Sequence, residues 1–317
     1  MRVLLATDGS DDARSACEWL ARRPLPAGSR LRVVSAVSVP PSPLDIPTVH
    51  QFVTSLREEA QHAAEAAWKR LASSFADSEA HALDGDAREV ILQMAEEWPA
   101  DLIVLGARGL GAVAGVLLGS VSLAVARRAH CSVLVVKPGT VAGPHIVIGV
   151  DGSPQAAEAV RFVARLPLAP LTVVRLTGAV QPPPMPATTP RIARGLVQEA
   201  RMQIVQERTA ALERALAKAA RSFEGVAKNV ERQMLVGSPT DVLLGAAARP
   251  DVGLVVVGAR GLGAVQRVLL GSVSENVLRH AEKPVLIVKS APSGGAGTPI
   301  AGGQGAADHW PAHTQPL

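Results

Sequence analysis

One segment of seventeen residues occurs twice in this chain with almost no change. "GARGLGAVAGVLLGSVS" spans residues 106–122 and "GARGLGAVQRVLLGSVS" spans residues 258–274. The copies differ only at Ala114 against Gln266 and at Gly115 against Arg267, although the sequence around them has diverged widely. The chain has 317 residues, about twice the length of a typical domain. We therefore expect two related domains, each built around one copy of this segment.

The two halves show the same order of predicted elements. Each begins with a short apolar strand, reaches Asp-Gly-Ser at Asp8 or Asp151, and turns helical, with Ser10 and Ser153 placed as helix N-caps. Further strands are predicted at 31–37, 79–84, 171–177 and 230–236, and helices at 49–76, 86–98, 192–223 and 239–249. The runs "DLIVLGA" and "DVGLVVVGA" are typical of parallel strands that are buried on both faces.

This order predicts an α/β fold with two tandem five-stranded domains. Each domain is expected to be a parallel, doubly wound, Rossmann-like unit with strand order 3-2-1-4-5. The expected boundaries are 1–140 for the first domain and 144–290 for the second. Residues 291–317 are rich in glycine, alanine and proline, which predicts a disordered tail.

Composition argues against several classes of protein. The chain contains no run of eighteen apolar residues and passes from Met1 directly into a strand-like segment, so we expect a cytoplasmic protein with no membrane partner. Cys17 and Cys131 form no CxxC pair, which argues against a disulfide or a zinc site. Aromatic residues make up 3% of the chain and no basic stripe is interleaved with them, so no nucleic-acid partner is expected.

The repeated segment has the composition of an anion-binding turn. Glycine at the end of a buried strand, as at Gly106, lets a ligand approach the backbone without a Cβ in the way. Gly119 and Ser120 introduce a helix whose first N–H groups favour a phosphate, and the same pattern follows Gly258. In the predicted strand order Asp8 and Asp151 lie beside these turns, where a carboxylate suits ribose hydroxyls or a bridging metal better than a bare phosphate.

Plainer roles are open for each of these residues. Glycines at strand ends are common turn devices, Asp8 and Asp151 are placed to cap helices, and the motif serines are placed as N-caps. Arg108 and Arg260 lie within the turns, where they either contact phosphates or remain solvated. The repetition of the whole pattern in both halves favours the binding role.

The spacing Gly-x2-Gly-x9-Gly-Ser after a strand, with an Asp-Gly-Ser first turn and a final strand ending in lysine, resembles the universal stress protein family in its tandem form, over residues 1–290. In the ATP-binding branch of that family, the resemblance implies that ATP, with or without Mg²⁺, is held in each half. The implied first-half contacts are Asp8, Gly106, Gly109, Gly119, Ser120, Val121 and, for adenine, the backbone near Val37. The implied second-half contacts are Asp151, Gly258, Gly261, Gly271, Ser272, Val273 and, for adenine, Thr177.

The sequence nominates no catalytic residue. The phosphate-binding signature G-x4-G-K-[ST] is absent, and no catalytic triad or kinase set is present. We expect a nucleotide-dependent regulator of a stress response, read by a protein partner; a slow ATP-hydrolysing or nucleotidyl-transferring enzyme is the alternative. The resemblance also implies that "SVLVVK" at 132–137 and "PVLIVK" at 284–289 pair within one chain as an internal pseudo-dimer, and it leaves association into a homodimer open.

Overall fold

The structure is a computed structural model that describes residues 1–39, 47–111, 117–139, 143–185, 191–261 and 270–290. The predicted tail at 291–317 lies outside these residues. The first half contains strands β1 (Arg2–Ala6), β2 (Arg30–Val37), β3 (Asp77–Asp84), β4 (Leu102–Gly106) and β5 (Ser132–Val136), and helices α1 (Asp11–Ala21), α2 (Pro47–Leu71), α3 (Ala87–Glu97) and α4 (Ser120–Arg128).

The second half repeats this order. Its strands are β6 (His145–Gly149), β7 (Val173–Val180), β8 (Asn229–Val236), β9 (Val252–Gly258) and β10 (Val285–Val288). Its helices are α5 (Pro154–Ala164), α6 (Arg194–Arg221), α7 (Pro239–Ala247) and α8 (Ser272–His280). The predicted tandem α/β fold is confirmed.

All strands of the described residues join one ten-stranded sheet with the order β3-β2-β1-β4-β5-β10-β9-β6-β7-β8. Each half therefore has the predicted order 3-2-1-4-5, and its five strands run parallel. The halves meet where β5 and β10 pair antiparallel, with Val135 opposite Val285 and Val133 opposite Ile287. This is the predicted pairing of the two edges within one chain, and it leaves neither edge unpaired.

Apolar residues on both faces of the sheet account for the layered architecture. Every residue of β4, β5, β9 and β10 is buried, as expected for parallel strands covered by helices on both sides. One core cluster lies under α3, α4, α7 and α8, and a second lies under α1, α2, α5 and α6. The Oγ atoms of Ser10 and Ser153 accept hydrogen bonds from the N–H groups of Ala13 and Ala156, so both predicted N-caps are confirmed.

Two lysines, Lys137, which is buried, and Lys289, which is half-buried, tie each half to a helix of the other half. Nζ of Lys137, directly after β5, donates to the carbonyl oxygen of Leu278 in α8 at 3.0 Å and to that of Leu117 at 3.0 Å. Nζ of Lys289, directly after β10, donates to the carbonyl oxygens of Arg127 and Ala129 at the end of α4. Carbonyl groups at a helix C-terminus carry partial negative charge and favour such cations. Burial lowers the pKa of each ammonium to about 8.

The second strand of the second half extends beyond the predicted 171–177. It runs from Val173 to Val180, with Gly178 inside it. A glycine inside a strand often marks a place where other atoms approach the backbone closely. A Cβ at position 178 would lie 2.6 Å from Cδ1 of Leu212 and 2.9 Å from the carbonyl oxygen of Val150. The glycine therefore permits close packing of α6 and of the turn after β6.

Candidate functional site

A cavity of about 560 Å³ opens at the carboxyl ends of the central strands in the first half. Its size falls within the range of about 300 to 1,000 Å³ that is typical of small-molecule sites. The predicted site residues that line it are Asp8, Gly106, Arg108, Gly109, Gly119, Ser120 and Val121. Folding therefore brings together residues that are about a hundred positions apart in the chain.

The Asp8 carboxylate joins the Asp-Gly-Ser turn to the glycine loop. Oδ1 of Asp8 accepts a hydrogen bond from the N–H of Ser10 at 3.0 Å, and Oδ2 accepts one from the N–H of Leu110 at 3.0 Å. A Cβ at Gly109 would overlap Oδ2 of Asp8, so only glycine permits this approach. Asp8 therefore has a loop contact in addition to the local turn bond that a plain cap would make.

Gly106 is required by the packing of α1. A Cβ at this position would lie 2.6 Å from the backbone carbon of Asp12 and 2.7 Å from the backbone nitrogen of Ala13. Oγ of Ser122 donates to the carbonyl oxygen of Gly106 at 2.7 Å and fixes α4 to the end of β4. Sequence reasoning did not assign Ser122, although its identical place in both copies of the segment is a signal for it.

The start of α4 lies at the rim of the cavity. Gly119, not Ser120, is the N-cap residue, and its N–H donates to the carbonyl oxygen of Ala107 at 2.8 Å. Ser120 is the first helical residue and is exposed, so its side chain takes no capping role here. The first N–H groups of a helix have no partner within the helix, which makes this rim favourable for an anion.

Arg108 is held by Asp12, a residue that the sequence did not nominate. Asp12 accepts hydrogen bonds from the backbone N–H of Arg108 at 3.0 Å, from Nε at 3.1 Å and from Nη2 at 3.3 Å. The side chain of Asp12 is 6% exposed, against 29% for Arg108. The carboxylate raises the pKa of the Arg108 guanidinium above its ordinary value. The side chain of Arg108 is thus held against the protein, and Asp12 compensates its charge.

The structure does not place Val37 at the cavity. Val37 is buried, and its carbonyl oxygen accepts a hydrogen bond from the N–H of Gly85 at 2.9 Å. Val34 and Ala36, on the same strand, line the cavity instead. Side chains alternate between the two faces of a strand, so positions 34 and 36 share one face and Val37 lies on the other.

Thr177 does not match Val37, and the predicted equivalence is wrong. The carbonyl oxygen of Thr177 accepts from the N–H of Val150, just as that of Val34 accepts from the N–H of Thr7. The equivalent of Val37 is Val180, whose carbonyl oxygen accepts from the N–H of Gly237. The strand extends three residues past Thr177, which explains the shift.

The second half repeats the central contacts. Oδ1 of Asp151 accepts from the N–H of Ser153 at 2.8 Å, and a Cβ at Gly261 would lie 2.6 Å from Oδ2 of Asp151. A Cβ at Gly258 would lie 2.7 Å from the backbone carbon of Gln155. Gly271 caps α8, Ser272 is its first residue, Val273 is half-buried against the core, and Arg260 follows the end of β9. Residues 262–269 of this loop lie outside the described residues.

In the part of the chain that the structure describes, neither a preformed metal cluster nor a membrane span accompanies these sites. Across the described residues, no group of three or more histidine, cysteine, aspartate or glutamate side chains is placed to hold a metal ion. No helix in the same part of the chain is both long enough and apolar enough to cross a bilayer.

Comparison with known proteins gives consistent matches over both halves. The model of the universal stress protein family matches residues 1–137 and 144–289. A universal stress protein of Mycobacterium tuberculosis is 29% identical over 319 aligned positions, covering 90% of this chain and 94% of that protein. One from Thermus aquaticus is 39% identical over 136 positions, covering 43% of this chain and 97% of its own length. The crystal structure of a universal stress protein from Archaeoglobus fulgidus superimposes with a TM-score of 0.61 at 20% identity, covering 91% of this chain and 98% of that one.

Proposed function

Because this chain belongs to the universal stress protein family, we propose that it is a regulatory protein that binds one ATP molecule in each of two domains, at 1–140 and 144–290. The family is established by the match over both halves. ATP binding, the two domain boundaries, a role in the stress response and a cytoplasmic location are parts of this proposal. So is a protein partner that responds to the state of the sites.

One observation supports the proposal above the others. In both halves a carboxylate lies against a glycine of the repeated loop at a distance that leaves no space for a Cβ. In the first half this contact borders a cavity of about 560 Å³ that also includes the start of α4. A carboxylate beside a helix N-terminus is the arrangement expected for a ligand with both hydroxyl groups and an anionic tail.

The residues of the first cavity fit the parts of ATP. Asp8 would accept hydrogen bonds from ribose hydroxyls, and the backbone around Gly119 and Ser120 would hold phosphates. The apolar wall formed by Val34 and Ala36 would contact the adenine ring. This replaces Val37 and Thr177 as the proposed adenine contacts.

Mg²⁺ would enter the site with the nucleotide. Mg²⁺ is usually held by one or two carboxylates together with substrate phosphates and water. Asp8 is the acidic side chain among the described residues that line the first cavity. It can supply one ligand, so phosphate oxygens and water would supply the others.

Isothermal titration with ATP, ADP and AMP tests the proposal. The full chain should bind ATP at two sites, and Asp8→Ala or Asp151→Ala should each weaken one site about tenfold or more, since a hydrogen bond to a charged group contributes about 1.5 to 3 kcal/mol. Asp11→Ala is the matched control, because the Asp11 side chain is 87% exposed and pairs with Arg14. It should bind like the parent chain.

Two results would contradict the proposal. Absence of any binding heat with all three nucleotides would remove its basis, and two sites unaffected by either aspartate substitution would place the ligand elsewhere. Steady release of phosphate that disappears in the Asp8→Ala, Asp151→Ala double variant would instead favour the enzymatic alternative.

A further inference from the structure

The first half has a groove along the outer edge of the sheet. β3 pairs with β2 on one side and is the last strand on the other, so alternate residues turn their N–H and C=O groups away from the sheet. A cavity of about 970 Å³ lies along this edge between α2 and α3. We call it the edge groove, and the side chains of its lining that matter most are Glu58, Glu65, Leu83, Val90, Met94 and Glu97.

The two walls of the edge groove differ in polarity. On the side of α3, Val90 and Met94 are buried, and the half-buried Leu83 packs against the same core. On the side of α2, the wall contains the exposed Glu58 and the half-buried Glu65. Successive side chains of an extended segment point in opposite directions. A segment lying in the groove would therefore turn every second side chain to an apolar wall and the others to an acidic one.

The edge groove is acidic, although the chain as a whole has a formal net charge of +4. Two of the four carboxylates in its lining have cationic partners: Asp84 pairs with Arg57, and Glu65 lies 3.7 Å from the lysine one turn further along α2. Glu58 and Glu97 are exposed, and neither forms an ion pair with any residue that the structure describes. The groove therefore retains negative charge that a cationic side chain can neutralise.

The fold itself does not require these carboxylates, because the second half lacks them. Helices α2 and α6 pack equivalently: a Cβ at Gly9 would lie 3.4 Å from that of Ala63, and a Cβ at Gly152 would lie 3.6 Å from that of Ala215. In the alignment that these contacts give, Glu58, Glu65, Asp84 and Glu97 correspond to Ala210, Ala217, Val236 and Arg249. The acidic character is thus specific to the first half.

We propose that the edge groove binds an extended segment of a partner protein, in which basic and apolar residues alternate, as an added strand beside β3. Main-chain hydrogen bonds to a free sheet edge supply the affinity in this mode of recognition, and alternate side chains supply the specificity. Lysine or arginine side chains would face Glu58 and Glu65, and apolar ones would face Val90 and Met94. Each helical wall is about 10 Å long between these residues and Glu97, which gives room for about three to four residues of a strand.

Other occupants fit the edge groove less well. The segment 291–317 of this chain contains no lysine or arginine. A second copy that paired through its own β3 would bring Asp77, Glu79 and Asp84 towards the same carboxylates, and like charges on paired strands are destabilising. The inference goes beyond the proposed function and does not depend on it, since the edge groove and the nucleotide cavity share no lining residue.

Fluorescence anisotropy with labelled synthetic peptides tests the proposal on the full chain, without nucleotide and at about pH 7.5, where histidine is mostly uncharged. The first peptide alternates lysine with valine over seven residues, and a second has glutamate in place of lysine. Two further forms of the first peptide carry N-methyl groups on alternate backbone nitrogens, so that each form blocks the donors on one edge. The lysine peptide should bind and the glutamate peptide should not. Blocking the edge that faces β3 should weaken binding about tenfold or more, and blocking the other edge should change it little.

Two matched double variants test the site of binding. Glu58→Gln with Glu97→Gln should weaken binding of the lysine peptide about fivefold, the combined effect of two exposed ion pairs. Glu59→Gln with Glu96→Gln is the control, because it changes the net charge equally on the same two helices at exposed positions that do not line the groove. It should bind the peptide like the parent chain.

Four results would overturn the proposal. Absence of binding at about 1 mM peptide would show that the groove does not accept such a segment. Equal weakening in both double variants would indicate general charge attraction, and tight binding of both N-methylated peptides would exclude an added strand. A dimer of the unbound chain that dissociates in the Glu58→Gln, Glu97→Gln variant, as measured by sedimentation, would assign the groove to a second copy. None of these results bears on ATP binding, which the nucleotide titration tests separately.

Discussion

Replacing Lys137 with methionine tests the contact that joins the first half to α8. The Lys137 side chain is 4% exposed, and its Nζ donates to the carbonyl oxygens of Leu117 and Leu278. Burial is the largest cause of its lowered pKa, about 8 in the folded chain against an ordinary value of 10.5. Methionine fills a similar volume but does not titrate, so the pH dependence of the difference in stability isolates the ammonium.

The sign and size of the effect follow from these two pKa values. Between them the unfolded chain binds more protons than the folded chain, so the free energy of unfolding rises with pH. The lysine contribution is present above pH 10.5 and is lost as the pH falls through about 8. The difference in unfolding free energy between the parent chain and Lys137→Met should therefore grow in favour of the parent by about 2 kcal/mol from about pH 7.5 to about pH 10.

Urea denaturation of both proteins at the two pH values measures this difference. The thiols of Cys17 and Cys131 have raised pKa values and lower the stability at alkaline pH, but they do so equally in both proteins. Lys69→Met is the matched control for exchanging a lysine for methionine, since that side chain is 68% exposed. A Lys137→Met difference that stays constant with pH would refute the burial of this ammonium against the second half.

Three further predictions concern local packing, and urea denaturation checks each. Gly106→Ala should destabilise the chain by about 2 kcal/mol, because the added Cβ would lie 2.6 to 2.8 Å from three backbone atoms of α1. Gly111→Ala should change the stability little, because a Cβ there would have no atom within 4 Å, and equal losses for the two variants would contradict the packing. Arg127→Ala breaks an exposed ion pair between α4 and α8 and should cost about 1 kcal/mol or less; a larger loss would mean that this pair is a main joint between the halves. Asp86→Ala removes an N-cap hydrogen bond to α3 and should lower the free energy of unfolding by about 1 kcal/mol. This contribution of Asp86 should disappear as the pH falls from about 4 to about 2. Ser238→Ala is the control, since the Ser238 side chain makes no such bond, and equal effects of the two substitutions would contradict the capping difference.

The parts of the fold that were predictable from sequence depend on local patterns that occur twice. A pattern of only a few residues is enough to predict each of these features: the apolar strands, the capping serines Ser10 and Ser153, and the repeated glycine loop. Repetition strengthened these signals, because a pattern that recurs in matching context is seldom accidental. The strand order followed from the known geometry of doubly wound sheets, and the meeting of β5 with β10 from the resemblance to the family.

The parts that were missed depend on contacts between distant residues. Asp12 and Arg108 are 96 positions apart, and no local pattern marks an aspartate in the first turn of a helix as the partner of one particular arginine. The end of β7 was placed three residues too early, at Thr177; Gly178 lies inside the strand, where the absence of a Cβ admits Leu212 and the backbone of Val150. The error at Thr177 is a direct result of that misplacement.

Pairing of β5 with β10 has a consequence for the two candidate sites as well as for stability. Helix α8 begins at Ser272, beside the second glycine loop, and Leu278 near its other end accepts a hydrogen bond from Lys137. The same ammonium binds the carbonyl oxygen of Leu117, at the end of the first glycine loop. One buried side chain therefore contacts both the loop of one site and the helix that forms the rim of the other. That ammonium cannot move without losing one of these buried hydrogen bonds. The two candidate sites are therefore parts of one packed unit, and we expect a substitution at Lys137 to affect both sites.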